Sequence, residues 1–168
     1  MSLGSNAAAR IRPAQEAIGA SQRIASEARR VVAMNAEALW GDLVTALESH
    51  VTEFADELPL AREKNLCATR LGRDNLTIQT SIYPLLKFGI IFVRERHIVT
   101  GRITENMSGL SAPRCLALND VGITVDRNLH PYFTDGERLL APVPLAGELM
   151  QSVYAFFEKA AGLPLIFA

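Results

Sequence analysis

The groups in this chain that could do chemistry are three histidines, two cysteines and a scatter of carboxylates, and their spacing limits what they can do. In "NLHPYFTDGE", His130, Tyr132 and Asp135 share an irregular segment, and such segments often carry function. The same residues also read as architecture. Pro131 fixes an extended turn, Tyr132 and Phe133 pin the segment to a core, and Asp135-Gly136 makes a tight turn. A nucleophile would need Cys67, Cys115 or a serine brought beside His50, His97 or His130, and no spacing in the chain requires that. His50-Val-Thr-Glu53 sets a histidine and a carboxylate one helical turn apart, as metal-binding bundles do. Those sites draw ligands from facing helices, and no other helix here offers a histidine. Neither cysteine stands in a Cys-x-x-Cys or Cys/His spacing, so both read as small buried thiols in a reducing compartment. Glycine-rich phosphate loops are absent. We therefore expect no catalytic residue, no metal and no cofactor, and a protein that is not an enzyme.

A second polar cluster, Arg94-Glu95-Arg96-His97, interrupts two apolar runs. Pairing Arg94 with His97 sets Phe92 opposite Val99, Ile90 opposite Gly101 and Phe88 opposite Ile103, on one apolar face with Leu86. A one-residue slip loses this sorting, so the cluster is a hairpin tip in water. The other face then carries Lys87, Ile91, Val93, Ile98, Thr100 and Arg102. Pairing Leu71 with Leu76 in the preceding hairpin adds Arg70 to it. Arg70, Lys87, Ile91, Val93, Ile98 and Arg102 are thus the candidate partner-binding residues. This face has no acid, which would suit phosphates, but it lacks aromatic rings for base stacking and the chain's net charge is −1. Nucleic acid is not the expected partner.

Charge is distributed unevenly along the chain. Residues 1–33 hold five Arg against two Glu, residues 34–63 hold seven acids against Arg62, and residues 64–104 are again basic. The basic and acidic segments either neutralise one another or face partners of opposite sign. No window approaches the apolar length of a membrane span, and no secretory h-region opens the chain, so a soluble cytoplasmic protein without a membrane partner is expected.

The elements that must position these residues fall into two halves. Between Pro13 and Leu58-Pro59 there is no proline, and Val32, Ala36, Leu39, Leu43, Leu47, Val51, Phe54 and Leu58 recur at helical spacing, widened by Trp40 and Val44. An uninterrupted helix over 13–57 would span about 67 Å, against about 40 Å for a compact domain of this length. It must either break, near Gly19, Met34-Asn35 or Gly41, or project and pack on another chain. The small residues of its first half suit a bundle, and we expect a homo-oligomer, a dimer first. Residues 1–12 read as a leader, unstructured or left from an expression vector.

After Pro59 the period falls to two, with turn signals at regular intervals. Three successive hairpins are expected, the last of them "CLAL", "NDVG", "ITV", followed by an irregular connection through "RNLHPYFTDGERLLAPVP". A C-terminal amphipathic helix follows, with Pro144 in its first turn and Gly162 and Pro164 at its stop, and the apolar tail "LPLIFA" should dock. The fold class is α+β: a long N-terminal helix, an antiparallel meander of about six strands, and a C-terminal helix on one face. Residues 64–168 form one domain with the preceding helix. The function expected is a non-catalytic interaction or structural module, assembling through the long helix and meeting a second subunit or a protein partner with the outer sheet face. The alternative is a small-molecule-binding domain with an apolar pocket bounded by Phe88, Phe92, Val99 and the aromatics of the last helix.

Overall fold

The computed structural model describes residues 3–107 and 112–162. The first element, α1 (Leu3–Glu57), is one unbroken helix of 55 residues with Pro13 inside it. At 1.5 Å per residue it is about 80 Å long. None of the three expected break points interrupts it. Asn35 stays helical by donating its side-chain amide to the Val31 carbonyl (2.8 Å) instead of competing for its own backbone. The helix stops at Leu58, which is extended (φ −107°, ψ 105°) because it precedes Pro59, and a short α2 (Pro59–Glu63) leads into the sheet.

The predicted apolar stripe is the buried one. Ala36, Leu39, Trp40, Leu43, Val44, Leu47 and Val51 are each at most 8% exposed and join one cluster with sheet residues. Among the described residues the first buried one on α1 is Val32, and the helix runs about 40 Å N-terminal to it at the helical rise. Of the two outcomes open to an over-long helix, the chain adopts projection.

The sheet is antiparallel and curled, in the order β1 (Cys67–Arg70), β2 (Asn75–Gln79), β3 (Leu85–Val93), β4 (Ile98–Asn106), β6 (Val121–Val125), β7 (Pro131–Thr134) and β8 (Leu139–Leu140). β5 (Arg114–Ala117) also pairs with β4, beside β6. The β3–β4 register is the predicted one, with Phe92 facing Val99, Ile90 facing Gly101 and Phe88 facing Ile103. A single 3-10 turn at Arg94–Arg96, with His97 left-handed (φ 49°), reverses the chain. Gly101 sits where there is little room for a side chain. A Cβ there would stand 3.0 Å from the Leu118 side chain and 3.2 Å from the Phe88 ring.

Three expectations about the sheet are corrected. Among the described residues there are eight strands, because the supposed irregular connection contains β7 and β8. Pro131 is tolerated there as the first residue of its strand. The hairpin expected at "NDVG" does not form, since β5 and β6 both lie along β4. Arg102 faces Ala117 but Val99 faces Val121, where the unbroken register would bring Asp120, so the chain carries one extra residue and bulges. In the first hairpin, Leu76 faces Arg70, not Leu71, and Ile78 faces Ala68. That slip moves Arg70 to the face shared by the buried Leu76 and Ile78.

The last helix, α3 (Pro142–Ala160), buries Leu145, Ala146, Met150, Val153, Phe156 and Phe157, and packs beside α1 on the same side of the sheet. The apolar tail expected to dock lies outside the described residues.

Candidate functional site

Along α1, residues 15–26 are exposed apart from the half-buried Gly19, and Ile18 and Ile24 are 59% and 66% exposed. Ile18 and Ile24 thus hold large apolar side chains in water on this stretch of the helix. Nearer the sheet, the side of α1 turned from the core carries Ala38, Asp42, Thr45, Ser49 and Thr52, all exposed. This side is less polar than its composition suggests. Thr45 and Thr52 turn their hydroxyls back to the carbonyls of Gly41 and Glu48 (2.9 Å each), which leaves their methyls outward. Between this side and the start of α3 runs a groove of about 650 Å³, lined by Asp42, Ala46, His50, Glu53, Pro142 and Val143. Its floor is apolar and its rim acidic.

The core side of α1 is fastened to the hairpins by ion pairs. Arg94, at the β3–β4 tip, pairs with Asp74 at 2.7 Å and also with Glu37 of α1. Arg70 donates to both carboxylate oxygens of Glu48 (2.5 and 2.7 Å), and the Trp40 indole donates to the Arg73 carbonyl (2.8 Å). The Arg70 guanidinium holds the Glu48 carboxyl below the usual range, against a smaller opposing effect of burial. Arg70 is therefore a clamp on the helix and does not belong with Lys87 and Arg102. Part of the acidic helix and part of the basic sheet do neutralise one another, as charge patterning allowed.

The outer face keeps the other five candidates. Lys87 and Arg102 are exposed, Ile91 is 45% exposed, and Val93 and Ile98 are half-buried directly across from each other. No carboxylate alternates onto this face from β1 to β4. Both cysteines also lie here and are exposed, contrary to the expected burial. They share one row of the sheet, from Cys67 through Gln79, Lys87 and Thr104 to Cys115. The one-residue slip in the first hairpin turned Cys67 outward, and Cys115 follows from β5 being a continuation of the sheet along β4.

The loop candidates do not converge. His130 precedes β7 and Asp135 follows it, about 16 Å apart along extended chain, with Tyr132 half-buried between them opposite Thr124. Asp135 accepts the backbone N–H groups of Arg138 and Glu137 and pairs with the Arg138 guanidinium (2.7 Å), which together hold its carboxyl far below the usual range. Asp126 is depressed chiefly by the backbone N–H of His130, which it caps at 2.8 Å. These carboxylates build turns. His97 lines a second groove, of about 500 Å³, with Ala28, Val32 and Ile123. Among the described residues no group of three His, Cys, Asp or Glu could hold a metal ion, and no helix is long and apolar enough to cross a membrane.

Phe88, Phe92 and Val99 are at most 3% exposed within the main cluster and line neither of these grooves. No family model, no curated protein and no solved structure matches this chain.

Proposed function

We propose that this protein is a non-catalytic structural or interaction module that assembles with itself, as a dimer, through the first half of α1. The observation that carries this is the projecting helix, on which Ile18 and Ile24 are exposed. Most helical stability in proteins comes from packing of an apolar face, and a second chain would supply that packing to the projecting half. The outer sheet face, with Lys87 and Arg102 flanking Ile91, Val93 and Ile98, serves a protein partner or a further subunit. Support for that role is the exposed Ile91 on a face free of carboxylates. The protein acts in the cytoplasm, in keeping with two exposed free thiols.

Light scattering tests the assembly role. The full chain should have the mass of a dimer at micromolar concentration, and a chain lacking residues 1–31, which keeps every member of the main buried cluster, should be a monomer. Equal monomeric mass for both would refute it.

A further inference from the structure

We infer that the groove between α1 and β6 binds a small amphipathic carboxylate, its apolar chain on the groove floor and its head group among Arg29, Arg96 and His97. The site uses neither the exposed isoleucines of α1 nor the outer sheet face, so it stands apart from the assembly role proposed above.

Packing makes the groove. The buried stripe of α1 runs back through Leu39 and Ala36 to Val32, and the residue one turn earlier on that side is Ala28. Alanine is too short to cover the inner face of β6, where Ile123 stands opposite the buried Phe133 and Val125 follows on the same side. Ala28, Ile123 and Val125 are each half-buried, and with Val32 they floor a groove of about 500 Å³. That volume lies in the range of small-ligand sites. From Ile123 to Val125 the groove follows only three strand residues, about 10 Å, and among the described residues no aromatic ring lines it. It suits an alkyl chain and offers a nucleic acid no stacking platform.

Charge selects the head group. Arg29 from α1 and Arg96 and His97 from the β3–β4 tip line the same groove, and among the described residues no carboxylate does. The nearby acids are engaged elsewhere. Glu27 pairs with Arg30 (2.6 Å), and Asp126 accepts the backbone N–H groups of Asn128 and His130 (2.8 Å each). Asp120 reaches Arg96 only at 3.8 Å, a contact between exposed groups that is worth little and that a ligand carboxylate can replace.

The backbone adds a donor. Ile123 donates its N–H across to the His97 carbonyl (3.0 Å). By antiparallel alternation Val125 turns its own N–H to the same side, where β4 has already ended and has no residue opposite it. A carboxylate there meets this N–H together with the Arg96 guanidinium, and charge-assisted hydrogen bonds of this kind are the strong ones. A neutral head group keeps the apolar contact and forfeits that gain.

Calorimetric titration of the full chain with decanoate tests the site. The native protein should take up decanoate saturably at an equimolar ratio. Decan-1-ol, with the same chain and no charge, should bind about tenfold more weakly or worse. Arg96→Glu should weaken decanoate by about tenfold or more, whereas Lys87→Glu on the outer sheet face should leave it unchanged. Ala28→Leu fills the floor from the helix side and should remove binding while circular dichroism and the melting temperature show the fold in place. No saturable uptake by the native chain, equal affinity for decanoate and decan-1-ol, or binding that Arg96→Glu leaves unchanged overturns the site. So does undiminished binding by a folded Ala28→Leu, and if that variant does not fold, the exposed Arg96→Glu decides alone. Any of these failures leaves the dimer standing.

Discussion

Lys159 of α3 reaches Glu105 of β4, with Nζ 3.0 and 3.2 Å from the two carboxylate oxygens, and Glu105 is only 6% exposed. The pair ties the end of α3 to the far end of the central hairpin. Removing one partner of such a pair strands a charge in the interior, which costs more than the pair contributes. Lys159→Met should therefore lower stability by about 2 to 3 kcal/mol, less than for a fully buried pair because Lys159 keeps some contact with water. Adding Glu105→Leu should recover more than half of that in urea denaturation, and a double variant less stable than Lys159→Met alone would show the pair to be worth more than its desolvation.

Gly101 supports a second expectation. Gly101→Val should cost about 1 to 3 kcal/mol through overpacking, since its Cβ would meet both Leu118 and Phe88. Leu118→Ala in the same chain should relieve part of the loss, because Leu118 comes from the bulge and is half-buried. Additive losses in thermal melts would place the strain elsewhere.

Acid should loosen the fastenings of α1 and the turns before the core. Glu48, Asp126 and Asp135 all have carboxyls held below their ordinary values in the folded protein. A depressed carboxyl contributes stability that is complete above its unfolded value, about 4, and that is lost as pH falls through the folded value. Stability followed by urea midpoints should be flat through this contribution above about pH 5 and decline below about pH 4. In Glu48→Gln the acid decline should be shallower. An unchanged slope would mean that the Arg70 pair does not persist in solution.

Much of this architecture was legible in the residues. The buried stripe of α1, from Val32 through Leu39 and Leu43 to Val51, follows from helical spacing, because only one face of a helix can meet a sheet. The β3–β4 register follows from Phe88, Ile90 and Phe92 alternating over nine residues, a run long enough that a slip would expose it. The first hairpin has only four residues in β1, and there Leu71 and Arg70 compete for the place opposite Leu76. Apolar pattern favours Leu71, but the ion pair of Arg70 with Glu48 lies across the chain and has no local signature. The bulge between Ala117 and Val121 hid behind the turn-like Asn119-Asp120, and β7 behind Pro131, whose position at a strand start costs the sheet nothing. Cys67 faces outward through the register of the first hairpin, and Cys115 because β5 runs along β4. Break and projection of α1 stay open in the sequence, since periodicity cannot tell one from the other when small residues such as Ala17, Ala20 and Ala25 support either.

Sedimentation equilibrium of the full chain and of Ile24→Lys, each over a range of micromolar concentrations, tests the central claim that α1 assembles this protein. The account predicts twice 18.3 kDa for the native sequence and a shift to the single-chain mass in Ile24→Lys, whose melting profile for the sheet domain stays in place because residue 24 touches none of the buried cluster. A native chain that sediments at 18.3 kDa throughout, indistinguishable from Ile24→Lys, would contradict it.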